Sequence, residues 1–426
     1  MHITVTGISH RSAPLAAREQ LALTPSAVQQ LLTRASATGL AEAVVVATCG
    51  RTEIYAASTG HRPNGADLAA LLAEAAGTPL ASFEPWLETR HDADAVRHLV
   101  RVAAGLDSLV LGESEILGQI GDALESAEAA GTVGMLLIKV FHAAIRAGRR
   151  ARSETKIADG AASVPAVAVN VTTAALGALE GRAVLVVGAG AMATKAVRAL
   201  VRRGAGPVTV INRTRERAER LADRYAARAA GLDELEGALR EADICITSTG
   251  SSAPVVTAAA VRAGARGGRP LVIVDMAVPR DVEPAARTLP GVTYLDLDDL
   301  ARRAEASVSD RRAQVPKVEG IVTEEAERVL GWLLSASALP TIASLRSRAE
   351  AIRAAELERA LRRLPDLTAA ERKALEAFSR SLVKKLLHDP TVSLKAEAGS
   401  PGAAELALAA RRLFALELAD GPGAAT

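Results

Sequence analysis

The chain has 426 residues, 49% of them hydrophobic and only 2% aromatic, with a formal charge of +2 at pH 7 and two cysteines. That length predicts about three domains with cores built from Ala, Val, Leu and Ile, and the near-neutral charge excludes a general attraction of the whole surface to nucleic acid. Two cysteines exclude a disulfide framework, no apolar run is long enough to span a bilayer, and the opening "MHITVTGISHRSAP" lacks the regions of a secretory leader, so a reduced, cytoplasmic protein with no membrane contact is expected.

The first part, residues 1–155, reads as α+β. An alternating strand, "HITVTGI", precedes a helical stretch near 14–36. Two strand-like runs, "AEAVVVAT" and "TEIYAAS", flank a corner at Cys49. Beyond residue 92 the pattern turns helical in "DADAVRHLVRVAAGL", "ILGQIGDALESAEAAG" and "LLIKVFHAAIRAGRRARS", with Gly105 and Gly131 stopping the first two. Around the third run, Lys139, Arg146, Arg149, Arg150, Arg152 and Lys156 face the single acid Glu154. This basic stretch reads either as a seat for nucleic-acid phosphates or as a solvated helix face.

The second part, residues 156–305, alternates strand and helix through "RAVLVVGAGAMATKAVRAL", "PVTVINRT", "RERAERLADRYAARAA", "ADICITSTG", "PLVIVDMAVPR" and "VTYLDLDDL". That alternation predicts a parallel, doubly wound sheet. Gly188, Ala189, Gly190, Ala191, Met192 and Ala193 give a G-x-G-x-x-A spacing between a strand and a helix, the context that makes it a dinucleotide signature. Gly188 permits the tight turn, Gly190 lets amides approach a pyrophosphate, and Ala193 lets helix and strand pack closely. Asn212, Arg213, Thr214 and Arg215 stand where NAD-binding sheets usually carry an acid. A guanidinium suits a 2′-phosphate, so NADPH is expected. The third part, 306–426, is helical and charged on one face, with "LLHDPTVSL" breaking it and "ADGPGAAT" expected to be disordered. No residue cluster has metal-ligand spacing, and no metal is expected.

Taken in order, "GISHRSAPLAAREQLAL", "ATCGRTEIY", "RHLVRVAAGLDSLVLGESEILGQI", "VLVVGAGAMA", "INRT", "VDMAVPRDVEP" and "LLHDPTVSLK" resemble the glutamyl-tRNA reductase family over nearly the whole chain. Gly50 stands where the family usually has Asn, and Gly112-Glu113-Ser114-Glu115 where it usually has Gly-Glu-Pro-Gln. The resemblance implies a catalytic, glutamyl-tRNA-binding domain at 1–155, a Rossmann NADPH domain at 156–305, and a helical linker and dimerisation domain at 306–426. It implies NADPH-dependent reduction of glutamyl-tRNA to glutamate-1-semialdehyde, the first step of five-carbon tetrapyrrole (porphyrin, haem) biosynthesis. It also implies a homodimer through the C-terminal helices and, as a further partner, glutamate-1-semialdehyde aminotransferase.

By the same resemblance Cys49 displaces the tRNA and carries the glutamyl group as a thioester, since a thiol attacks well and leaves well. Such a thiol needs a lowered pKa, and Arg51 is the nearby cation. Arg51 is expected to bind the substrate carboxylate, to stabilise the thiolate, or to do both. Thr48 and Gly50 complete the binding stretch. His98 is expected to act as general acid toward the leaving ribose oxygen or as polariser of the thiol, a choice the sequence leaves open. Ser108, Glu113, Ser114, Glu115 and Gln119 match positions lining the substrate pocket, with carboxylates suited to the α-ammonium. Cys245 reads as a buried strand residue, and His10, His142 and His388 show no partner. Cys49 and the glycine turn fall in different domains, whereas hydride transfer needs atoms about 3–3.5 Å apart, so the cofactor domain is expected to swing toward Cys49. Two other readings are a non-redox glutamyl-tRNA-binding or regulatory paralogue, to which Gly50 and Glu115 point, and an NADP dehydrogenase for a small free substrate, which leaves Cys49 idle.

Overall fold

The hairpin around Cys49 organises the first sheet. In the computed structural model, strands β1 (His2–Ser9), β2 (Glu42–Ala47), β3 (Arg51–Ser58) and β4 (Glu88–His91) form an antiparallel sheet of order β2-β3-β1-β4. The structure describes residues 1–159, 163–264, 269–305, 309–337, 339–399 and 403–416. β1 pairs with β3 along its whole length, from His2 opposite Ser58 to Ser9 opposite Arg51. Burial runs almost without interruption along β1, β2 and β3, so helices cover both faces. These helices include Pro25–Ala37, Gly65–Ala76, Asp92–Ala103, Glu115–Ala129 and Met135–Glu154. The stretch read as one helix near 14–36 is two, Leu15–Gln20 and Pro25–Ala37. Thr24 restarts it as an N-cap, accepting from the Ala27 amide at 3.2 Å, with Pro25 at the first helical position.

Strand and helix lock together at Glu42. Its carboxylate, in β2, accepts from the Leu136 and Leu137 amides at 3.1 and 2.7 Å. Those amides open the helix Met135–Glu154, where an anion meets both free N–H groups and the helix dipole.

The second sheet is parallel. β5 (Val184–Val187), β6 (Val208–Ile211), β7 (Arg228–Ala230), β8 (Ile244–Thr247), β9 (Leu271–Asp275) and β10 (Val292–Leu295) lie in the order β10-β9-β8-β5-β6-β7. This is the doubly wound order, with its switch point between β5 and β8. Two local expectations differ. "RYAARAA" favours helix by composition, yet its end becomes β7, paired to β6 through Ala229 and Val210; tertiary pairing overrides propensity there. "DLDDL" is not strand: the Asp299 amide donates to Asp296 at 3.0 Å and the helix Leu297–Glu305 begins. The helix Val164–Leu176, which was not among the expected elements, packs on this sheet's core.

Both sheets belong to one compact body, residues 2–326, and residues 327–426 form a second. Within the second body lie the helices Leu339–Arg363, Ala369–Leu386, His388–Ala396 and Ala403–Leu413. "LLHDPTVSL" breaks the helical run as expected, at Leu387, and the chain then re-enters a helix from His388, with Pro390 in a first turn where its missing N–H costs no bond. Ile352, Leu357, Phe378, Leu382, Leu386 and Phe414 line an apolar groove of about 640 Å³ in this body. The tail "ADGPGAAT" lies outside the described residues. Among those described, no helix is long and apolar enough to cross a membrane.

Glu42→Ala should leave two buried helix amides without acceptors and cost about 1–3 kcal/mol. A urea titration should show a lower midpoint at unchanged slope; an unchanged midpoint would mean that the Glu42 cap contributes nothing to stability.

Candidate active site

Backbone groups hold the Cys49 corner in place. The Thr48 amide donates to Arg51 O at 2.8 Å, and Thr48 Oγ1 accepts from the Gly50 and Arg51 amides, each at 3.2 Å. The His10 amide donates to the Gly50 carbonyl at 2.8 Å. Cys49 itself is half-buried. It packs against an apolar cluster that runs from Leu109 and Val110 into the core of the second sheet.

A buried ionic network lies beside the corner. Alternation along β3 sends Arg51, Glu53 and Tyr55 to one face. Arg51, 3% exposed, donates to Glu53 Oε1 at 2.7 Å and to the Asp107 carbonyl. Glu53 also accepts from Tyr55 Oη at 2.7 Å and faces His98 Nε2 at 2.9 Å. Arg11 and Arg101 reach the Asp107 carboxylate at 3.1 and 3.4 Å. Burial alone would raise the Glu53 carboxyl, but the Arg51 guanidinium, with His98 and Tyr55, holds it far below the usual carboxylate range.

The loop carrying "GLDSLVLGES" forms the next wall. Gly112 has φ +79°, and a Cβ there would run into the Ile157 carbonyl, so the turn requires glycine. The Arg152 guanidinium donates to the Glu113 carbonyl at 2.7 Å. Burial, and then Glu115, push the Glu113 carboxyl up to about 7. Ser108 Oγ is buried beside that carboxyl, and its hydroxyl opposes the rise. Glu115 takes Lys195 Nζ at 2.7 Å, and Lys195 belongs to the helix Ala191–Val201 that opens at the glycine turn.

That turn fits a dinucleotide. Gly188 has φ +110°, and a Cβ there would meet the Ser248 carbonyl at the switch point. Gly190 is the opposite case: nothing stands within 4 Å of a Cβ placed on it, so backbone amides at the helix N-terminus are open to an anion. Ala189, Ala191 and Met192 continue the turn, and Ala193 is fully buried against the sheet. Asn212 Nδ2 donates to the Thr214 carbonyl at 2.9 Å, while Arg213 and Thr214 are exposed. Arg215 is engaged by Glu219 at 3.1 Å. Arg217, Arg220 and Arg224 instead share a cavity of about 210 Å³ with Ala189 and Thr194.

The family model for the glutamyl-tRNA(Glu) reductase N-terminal domain matches residues 6–155, and that for its dimerisation domain residues 317–416. Between them the model for shikimate/quinate 5-dehydrogenase matches residues 170–303. A glutamyl-tRNA reductase of Rubrobacter xylanophilus is 42% identical, over 99% of this chain and 98% of its own. One of Salinispora arenicola is also 42% identical, over 98% of this chain and 93% of its own. The chain belongs to the glutamyl-tRNA reductase family. The solved glutamyl-tRNA reductase from Methanopyrus kandleri is 33% identical, covers 97% of this chain and 99% of its own, and superposes with a TM-score of 0.54. The second sheet of this chain, matched by a dehydrogenase model within a reductase family, takes a cofactor of the nicotinamide dinucleotide class.

The geometry gives the expected residues settings that the sequence did not show. Arg51 does not turn toward the thiol or an open pocket; Glu53 and Asp107 occupy its fork. The guanidinium at the nucleophile is Arg18, 3% exposed, which donates to Cys49 O at 2.7 Å. Arg18 lies three residues from both Leu15 and Leu21, on an otherwise apolar helix stripe, and that placement was the available signal. Nor is the thiol activated in this state. Burial, and then Glu113, push Cys49 up to about 12, and Arg18 opposes them only in part. His98 is closed into the Glu53 network. Ser114 opens instead onto a groove with Asp122, His142, Arg149 and Arg152, and Gln119 is half-buried. The basic stretch is partly neutralised: Arg146 and Arg150 bind Glu325, and Arg152 binds backbone carbonyls. His10 Nδ1 is buried without a hydrogen-bond partner, as expected, and burial, Arg51, Arg18 and Arg11 push the imidazole down to about 3, which keeps it neutral beside Gly50.

Arg51→Ala should cost about 3–5 kcal/mol, because it strands a buried carboxylate. The sign of the pH dependence should also change. Wild type holds this contribution above the ordinary carboxylate range and loses it as pH falls through the depressed Glu53 value. The variant, with Glu53 buried and missing its cation, should gain stability on acidification. Melting temperatures across pH give both slopes; parallel profiles would rule out the pair as their source.

Proposed function

We propose that this protein reduces glutamyl-tRNA to glutamate-1-semialdehyde with NADPH, through a thioester on Cys49, at the entry of five-carbon tetrapyrrole synthesis. The main support is that the nucleophile corner and the dinucleotide turn share one body, with Lys195 of the turn's helix on Glu115 of the substrate loop. The Cys49 thiolate attacks the ester carbon and the ribose oxygen of the tRNA leaves. Glu113 and Glu115 hold the substrate α-ammonium, with Ser108 Oγ beside the Glu113 carboxyl. Arg51 and His98 act as positioning groups: Arg51 fixes the Asp107 backbone from which that loop starts, and His98 holds Glu53, the partner of Arg51. The cradle at Gly188–Ala193, with Arg213 outside it and Arg217 and Arg220 beside Ala189, holds NADPH. The bound cofactor supplies the hydride that turns the thioester into a hemithioacetal. Cys49 then leaves and the aldehyde is released.

The reading extends to a cytoplasmic homodimer whose C-terminal apolar groove receives the second copy, passing its aldehyde to an aminotransferase. Incubation with charged glutamyl-tRNA and NADPH should yield semialdehyde. Cys49→Ser should abolish it while NADPH still binds. Replacing Arg217 and Arg220 with Ala should weaken NADPH severalfold more than NADH. Equal use of NADH by wild type would refute the cofactor choice. Binding of charged tRNA without semialdehyde or glutamate release would mark a non-redox paralogue instead.

A further inference from the structure

The short helix Leu15–Gln20 touches both the nucleophile corner and the cofactor domain. Arg18 donates to Cys49 O at 2.7 Å with one nitrogen and pairs through the other with Asp298. The Leu15 amide donates to the same Asp298 carboxylate at 3.1 Å. One residue on, Glu19 takes Arg280 three ways: from Nε at 2.7 Å, from Nη2 at 2.6 Å, and from its backbone amide at 2.8 Å. Both partners are partly shielded from solvent, with side chains 21% and 16% exposed. A bidentate fork with an added amide has a defined geometry, unlike a surface ion pair.

The contact continues to the glycine turn. Next to Arg280, Asp281 is fully buried and accepts from the Thr249 amide at 2.7 Å and from Thr249 Oγ1. Ser248 and Thr249 are the residues that a Cβ on Gly188 would strike. A continuous set of bonded or packed groups therefore leads from Cys49 through Arg18 and Glu19 to the backbone at Gly188.

We propose that Arg18 and Glu19 are positioning residues that clamp the cofactor domain against Cys49, so that closure decides whether a thioester is reduced or hydrolysed. This rests on the thioester reading above. With the clamp closed, hydride adds to the thioester carbon, the C–S bond breaks, and the leaving thiolate takes a proton. With it open, water adds to that carbon, the C–S bond breaks, and free glutamate leaves.

Glu19→Ala removes the acceptor for Arg280 without touching Cys49. At saturating NADPH it should shift product from semialdehyde toward glutamate severalfold, while glutamate release without NADPH persists. The charge-swapped pair Glu19→Arg with Arg280→Glu should restore much of the wild-type ratio. An independent readout is hydrogen exchange at the Leu15 amide, which bonds to Asp298 and not to Glu19; in Glu19→Ala it should quicken severalfold. A wild-type product ratio together with wild-type Leu15 exchange overturns the clamp. So does equal loss of both products, which marks general damage. If no variant, wild type included, makes either product, the thioester reading has failed, and Leu15 exchange alone decides the clamp.

Discussion

The Arg51–Glu53 pair constrains everything around the thiol. Two charges inside a protein are costly unless each hydrogen bond is satisfied. Here Glu53 accepts from Arg51 and Tyr55 and faces His98, while Arg51 spends its second nitrogen on the Asp107 carbonyl. That last bond fixes the chain where the substrate loop begins. An apolar pair of equal volume would fill the space, but it would not orient the loop. The network therefore sets direction: β3, the helix bearing His98 and the loop bearing Ser108 and Glu113 meet in one arrangement.

Local patterns made the framework legible. β-branched runs marked the strands, and the glycine spacing after a buried strand marked the cofactor turn with its open Gly190. Contacts across long separations were not legible. Arg18 meets Asp298 from 280 residues away, and nothing local to "AAREQ" names that partner. Arg51 illustrates a different difficulty. Proximity in sequence to Cys49 suggested proximity of charge, yet Cys49 lies in the turn between β2 and β3, whereas Arg51 opens β3 on the face it shares with Glu53 and Tyr55. The Arg51, Glu53, Tyr55 spacing already placed the guanidinium among its own partners. Composition misled at β7, where an Ala-rich segment joins a sheet edge.

The two departures from the family's usual residues have different physical settings. Gly50 is not forced by its backbone, and a Cβ on it would lie 3.5 Å from Leu109, an ordinary contact. Glycine there leaves room between His10 and Leu109 next to the nucleophile. Glu115 is compensated: Lys195, on the cofactor helix, takes up the charge that glutamate brings. The neutral amide usual at that position would leave such a lysine without its counter-ion, so the substrate loop and the cofactor helix are matched in this chain.

Charge balance at Cys49 bears on when the nucleophile forms. Burial disfavours the thiolate, and Glu113 and Glu115 both add to that while Arg18 opposes it. Every tenfold loss of thiolate corresponds to about 1.4 kcal/mol, so an attacking thiolate needs a further positive charge or fewer negative ones. In the proposed reaction the substrate brings its own: an α-ammonium seated on Glu113, beside the Glu115–Lys195 pair, offsets the carboxylate that raises the thiol most. Glu113, poised near 7, would be drawn into its charged form by the same ammonium, which tightens the grip as the repulsion on sulfur is screened. A thiol held protonated is slow to oxidise or alkylate. Its reactivity then appears together with the ester it is meant to attack.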